Sequence, residues 1–127
     1  MTAKSRARPL AFGKVRRLAL AEEFNQVRTE GATQRGRLLI LGTLSRPETA
    51  DFRAGFVTSR RVGNAVVRNR VRRRLREIVR RHQCEVRPGF WIVIVARPAA
   101  ATARYRALED EWLRLAGRAF ILAPSCA

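Results

Sequence analysis

Two cysteines, one histidine, one tyrosine and only ten acidic residues occur in this chain of 127. Each scarcity excludes something. Cys84 and Cys126 are too few and too far apart in sequence for a disulfide framework, and no Cys/His pair has metal-ligand spacing. A reduced, cytoplasmic setting is the expectation. The basic segment from Met1 to Pro9 is not followed by an apolar run, so it does not read as a signal peptide. No stretch approaches the roughly 18 apolar residues of a membrane span. The acids are dispersed apart from two helical groups, Glu22-Glu23 and Glu109-Asp110-Glu111, and no pair has the character of a Mg²⁺ site. No catalytic residue and no metal ligand is therefore assigned. His82, the single histidine, falls at the edge of an apolar stripe and reads as a packing residue rather than a base.

What the chain has is arginine. Lys and Arg number 27 against ten acids, a net charge of +17, and only Lys4 and Lys14 are lysine. Such a charge repels itself unless a polyanion neutralises it, so the partner is expected to be nucleic acid. The preference for arginine fits bidentate phosphate recognition and a GC-rich genome equally well. A hydrophobic content of 46% suffices for one core, and the length suits one domain.

Residues 1–16 form a basic, acid-free stretch expected to be a flexible arm, 17–122 the folded domain, and 123–127 a tail. Ala21 to Glu30 reads as a short helix, with Phe24 and Val27 on one side and Gly31 past its end. Two strand-like runs, Arg37–Leu44 and Phe52–Ser59, flank a polar loop and predict a hairpin with a long tip. Over residues 65–82, Val67, Val71, Leu75, Ile78 and Val79 fall within about 120° of one another on a helical wheel, and Asn64 can cap the start. Phe90 to Ala96 is apolar on both faces, as a covered central strand would be. A last helix follows from Tyr105, Leu108, Trp112, Leu115 and Ala116, with Thr102 as its expected cap and Asp110–Arg114 as an expected ion pair. This order predicts an α+β fold, a two-layer sandwich in which helices pack on a sheet of three to four strands.

Chemistry concentrates in residues 60–81, which hold ten arginines and one acid, Glu77. Setting Val67 at 0°, the wheel places Arg68, Arg72, Arg76, Asn69 and Arg80 at about 100° to 220°, a basic ridge away from the core stripe. From Arg68 to Arg80 the ridge extends about 18 Å, enough for several phosphates. A merely solvated helix face would carry acids at i±4 to offset like-charge repulsion, and here they are missing. Asn69 is the exception within the ridge, a neutral amide able to donate and accept, which points to a directed hydrogen bond such as one to a 2′-hydroxyl or a base edge. The alternative for Asn69 is an ordinary surface amide.

The contiguous run Gly63-Asn64-Ala65-Val66-Val67-Arg68-Asn69-Arg70-Val71-Arg72-Arg73 resembles the Arg-Asn-Arg signature of the protein subunit of bacterial ribonuclease P. The likeness extends from about Arg17 to about Leu122, taking in Ser59-Arg60-Arg61 and Ile92-Val93-Ile94-Val95-Ala96-Arg97-Pro98. It implies the accessory subunit of an endonuclease that removes the 5′ leader from precursor tRNA, with catalysis by an RNA subunit and its Mg²⁺ ions and no activity of the protein alone. It also implies an α/β sandwich whose crossover through the signature helix is left-handed, against the general rule. Residue by residue, Phe24, Arg28, Arg61, Arg68 and Asn69 would face the leader, and Arg70, Arg72, Arg73 and Arg76 the RNA subunit. The chain departs from the common pattern at Arg28 and Gly42, where aromatic residues are frequent.

Three other readings differ in what they require. A ribosomal-type RNA binder would share the charge but not the signature. A DNA-binding protein would place the arginine helix behind a helix-turn-helix partner, whereas here it follows a strand. A protein-only nuclease would need a carboxylate cluster.

Overall fold

The computed structural model describes residues 21–49 and 51–123, so the basic arm 1–16 and tail residues 124–127 lie outside the described residues. Three helices, α1 (Ala21–Glu30), α2 (Ala65–Arg81) and α3 (Tyr105–Arg118), pack on a four-stranded sheet of β1 (Ala32–Arg35), β2 (Leu39–Ser45), β3 (Arg53–Thr58) and β4 (Phe90–Ala96). The strand order is β1-β2-β4-β3, with β1, β2 and β4 antiparallel in turn and β3 parallel to β4. The fold class is the α+β arrangement expected from the sequence.

Strand alternation divides the core into two. Leu39 and Leu41 of β2, Ala54 of β3, and Ile92, Ile94 and Ala96 of β4 face α2 and α3, where they pack on Val71, Leu75, Ile78, Leu108, Trp112 and Leu115. The opposite face carries Val93 with Leu44, Val57, Trp91 and Val95, and α1 covers it through Val27 and Phe24. Because β4 is apolar on both faces, its central place follows from its sequence.

The expected hairpin between Arg37–Leu44 and Phe52–Ser59 does not form. β4 lies between the two strands, and the polar loop carries the chain past it to the far edge. β3, α2 and β4 then make a parallel crossover unit. β1, of sequence Ala-Thr-Gln-Arg, has no apolar alternation and is added by pairing with β2.

Helix ends show which local signals operate. Asn64 caps α2 as expected, its Oδ1 accepting the Val67 amide at 3.0 Å. Thr102 instead ends a 3₁₀ turn, Pro98–Thr102, and α3 starts from Arg104 without a side-chain cap. Arg114 pairs with Glu111 at 3.0 Å rather than with Asp110. The Glu111 carboxylate is 5% exposed, and its Oε2 accepts the amides of Leu38 and Leu39, each at 2.7 Å, closing the β1–β2 turn against α3. A Cβ at Gly36 would lie 2.3 Å from that oxygen, so a larger residue there would have to displace the Glu111 carboxylate. At the C-terminus of α2, His82 stacks on Trp112 and bridges Glu85 and Glu109 at 2.9 and 2.7 Å. Its packing role is thus combined with a polar clamp between α2 and α3.

Candidate nucleic-acid interface

Two concave surfaces of the described residues bear on nucleic-acid binding. The first is a cleft of about 350 Å³ on the α1 face. Its floor is aliphatic, made by Ile40 and Gly42 of β2, Val93 and Val95 of β4 and Val57 of β3, and its walls are Phe24, Asn25, Val27 and Arg28 of α1 with Thr33 and Arg35 of β1. Gly42 sets its depth, since a Cβ there would reach within 3.1 Å of Val27 Cγ1 and larger side chains would fill the space. α1 is moored on either side: Glu23 pairs with Arg53 of β3 at 3.1 Å, and Gln26 accepts from Arg46, whose guanidinium lies 4.8 Å over the Trp91 ring. An apolar floor with one aromatic and two arginines at its rim suits an unpaired base whose phosphate stays outside.

The second is a groove of about 270 Å³ lined by Asn69, Arg72, Arg73 and Arg76 on α2. Arg72 is fixed there by two acceptors, Asn69 Oδ1 at 3.0 Å and Thr58 Oγ1 at 2.7 Å. Asn69 therefore orients an arginine, a task the sequence alone did not disclose. The N-terminal turn of α2 contains no acid, so its partial positive charge adds to that of the side chains.

Six of the eight arginines of α2 fall into three sets. Arg72 reaches the sheet edge on one flank of the helix, and Arg68 is also half-buried. On the other flank, Arg70 and Arg74 donate to the carbonyls of Ala101 and Ala103, at 3.3 and 3.1 Å, and tie α2 to the segment leading into α3. Asn69 and Arg73 are exposed on the crest, and Arg80 is held by Glu77 through contacts of 2.9 and 2.5 Å. The only α2 acid thus neutralises one end of the ridge.

Of the residues the family resemblance directs to the leader, Phe24 and Arg28 line the cleft, whereas Arg61, Arg68 and Asn69 do not. Asn69 instead shares the groove with Arg72, Arg73 and Arg76. Residues sequence reasoning missed are the floor valines and Ile40, which look like ordinary strand residues until the strand order is known. Among the described residues no group of three or more His, Cys, Asp or Glu is placed to hold a metal ion, and no helix is long and apolar enough to cross a membrane.

Residues 12–119 match the family described as Ribonuclease P. The Ribonuclease P protein component of Brevibacillus brevis is 36% identical over 106 residues, covering 84% of each chain. That of Dehalococcoides mccartyi is 41% identical over 107 residues, covering 84% of this chain and 86% of its own. Among solved structures, the RNase P protein of Staphylococcus aureus superposes with a TM-score of 0.78 at 24% identity, over 84% of this chain and 96% of that one. The Thermotoga maritima RNase P protein gives 0.72 at 26% identity, over 80% and 96%. A family match across most of the chain, relatives above one-third identity and a shared four-stranded fold lead to one assignment: the chain belongs to the ribonuclease P protein family, the protein component of the tRNA-processing ribonucleoprotein.

Proposed function

We propose that the α1 cleft binds the single-stranded 5′ leader of precursor tRNA while the α2 groove binds the catalytic RNA subunit. The observation that carries this reading is the position of two consecutive residues of β3. Val57 lines the cleft, and Thr58, pointing to the other face, anchors Arg72 of the groove. One edge strand separates the surfaces, so RNA crossing it touches both. Phe24 and Arg28 contact leader nucleotides, with Arg61 and Arg68 beside them. Arg72, Arg73 and Arg76, with Asn69 as the positioning residue of Arg72, contact the RNA subunit. Arg70 donates one N–H to the Ala101 carbonyl and keeps its other donors for the RNA subunit.

The protein does not itself hydrolyse RNA. Mg²⁺ held by the RNA subunit would supply the activated water and the charge stabilisation that hydrolysis needs, while the protein's residues act on the bound RNA. The protein's contribution is electrostatic and positional: it raises affinity for the leader-bearing substrate and lowers the Mg²⁺ requirement by screening phosphate repulsion. The site of action is the cytoplasm, where precursor tRNA is made.

The test is cleavage of precursor tRNA by purified protein, by RNA subunit alone and by the two together, across Mg²⁺ concentrations. Cleavage only with the RNA present, at lower Mg²⁺ when the protein is added, is the expected result. Metal-dependent cleavage by RNA-free protein overturns it. In the assembled enzyme, Phe24→Ala weakens binding of leader-bearing substrate but not of mature tRNA.

A further inference from the structure

The cleft does not end in neutral surface at β1. Arg35 lines it, and beyond Arg35 the β1–β2 turn gathers Arg37, Arg97 and Arg118, all exposed. Two of these are held in place. Arg97 donates to the Gly36 carbonyl at 2.9 Å and Arg118 to the neighbouring Arg35 carbonyl at 3.1 Å. Consecutive carbonyls thus fix two guanidinium groups from different parts of the fold, one after β4 and one at the end of α3.

Like charges so placed repel one another, and no acid offsets them. Among the described residues the acid in contact with the turn is Glu111, which is buried. Its Oε2 takes the Leu38 and Leu39 amides, and its Oε1 takes Arg114. A backbone carbonyl satisfies only part of a guanidinium's five donors, so Arg97 and Arg118 keep N–H groups for another acceptor. Pre-positioned arginines with uncompensated charge fit phosphate oxygens.

Position decides which phosphates. With strands spaced by about 4.8 Å, β1 lies about 14 Å from β3 across the sheet, and the cleft crosses that distance from Val57 to Arg35. The α2 groove adjoins the β3 end, and the turn cluster adjoins the β1 end. We infer that the Arg35, Arg37, Arg97 and Arg118 cluster is a second phosphate-binding surface that holds the distal part of the 5′ leader, the nucleotides leaving the cleft away from the RNA subunit. This rests on the cleft being the leader site.

The experiment measures binding of precursor tRNAs to the assembled enzyme across salt concentrations, using leaders of about 4 and about 12 nucleotides, which bracket the sizes of single-strand grooves. The variants are Arg97→Gln with Arg118→Gln, which keep a donor for the turn carbonyls while removing charge, and separately Arg37→Ala, which has no contact with the turn to lose. The glutamine pair is expected to lower the salt slope for the long leader by about 1.4, and Arg37→Ala by about 0.7. Binding of the short leader should not change. Equal losses for both leaders, a loss in binding of the RNA subunit itself, or no change with the long leader each overturn the proposal. Phe24→Ala separates the two layers of inference. If it weakens both leaders while the arginine variants change neither, the cleft reading stands and the cluster proposal fails; if Phe24→Ala has no effect, the cleft reading fails.

Discussion

The buried carboxylate of Glu111 accepts the Leu39 amide at 2.7 Å, joining helix α3 to the start of β2 across 72 residues of chain. The same oxygen accepts Leu38, so one side chain satisfies two backbone donors that no strand partner reaches. Replacing Glu111 with Ala leaves both amides buried and unpaired, a loss of about 2–4 kcal/mol. Glu111→Gln, which keeps an acceptor oxygen, should lose less. Urea denaturation of the two variants checks the order, and equal losses would mean that packing rather than hydrogen bonding matters at this position.

His82 makes stability depend on pH. Burial pulls its pKa down, but hydrogen bonds to Glu109 and Glu85 outweigh that, and the net direction is upward from 6.5. A group whose folded pKa is raised stabilises fully below its unfolded pKa and loses that contribution as pH rises through the folded value. Denaturation midpoints should therefore fall from pH about 6 to about 8. His82→Gln should flatten this part of the profile. A wild-type profile that rises over the same interval would contradict the clamp.

Within the α2 ridge, Arg73 and Arg80 should behave differently although both are cationic. Arg73 is exposed in the groove, whereas Arg80 is already neutralised by Glu77. For binding to the RNA subunit, Arg73→Ala is expected to lower the salt slope by about 0.7–0.9, and Arg80→Ala by clearly less. Asn69→Ala should weaken binding with little change in slope, because it removes an oriented hydrogen bond and not a charge. Equal slopes for Arg73→Ala and Arg80→Ala would mean that Glu77 gives way when RNA binds.

Phe120 has φ of 60° and is 77% exposed. It ends α3 in the left-handed conformation, where its amide and that of Ile121 return to the carbonyls of Gly117 and Ala116. Phe120→Gly should relieve the left-handed strain of about 1 kcal/mol and lose little packing. A modest rise in melting temperature is expected. A fall would show that the exposed ring contributes more than its strain costs.

Elements whose stabilising contacts are local were readable in advance. The α2 stripe, its Asn64 cap and the double-sided apolarity of β4 each lie within a few residues of sequence, and each was found. Elements fixed by distant partners were not. β1 has no pattern of its own, and β2 and β3 looked like a hairpin because neighbouring strands usually pair. Glu111 carries no sequence mark of burial, since its partners are backbone amides more than seventy residues away. The arginine helix was visible as a basic surface, but its division into anchors and exposed groups depends on Thr58, Ala101 and Ala103, which only the tertiary fold brings near. The cleft itself was not legible, although the resemblance directed Phe24 and Arg28 to the leader, because its floor is assembled from alternate residues of three strands.

The pairing of β3 with β4 sets Val57 opposite Val95 and Thr58 opposite Ala96. Side chains alternate along a strand, so a slip of one residue would exchange their faces. A hydroxyl would enter the cleft floor and a valine would lie where Arg72 expects an acceptor, disabling both surfaces in a single event. Strand register is thus a shared constraint on the two ends of one RNA path: an insertion or deletion in the loop before β3 is tolerable only if it leaves the phase of that edge strand intact.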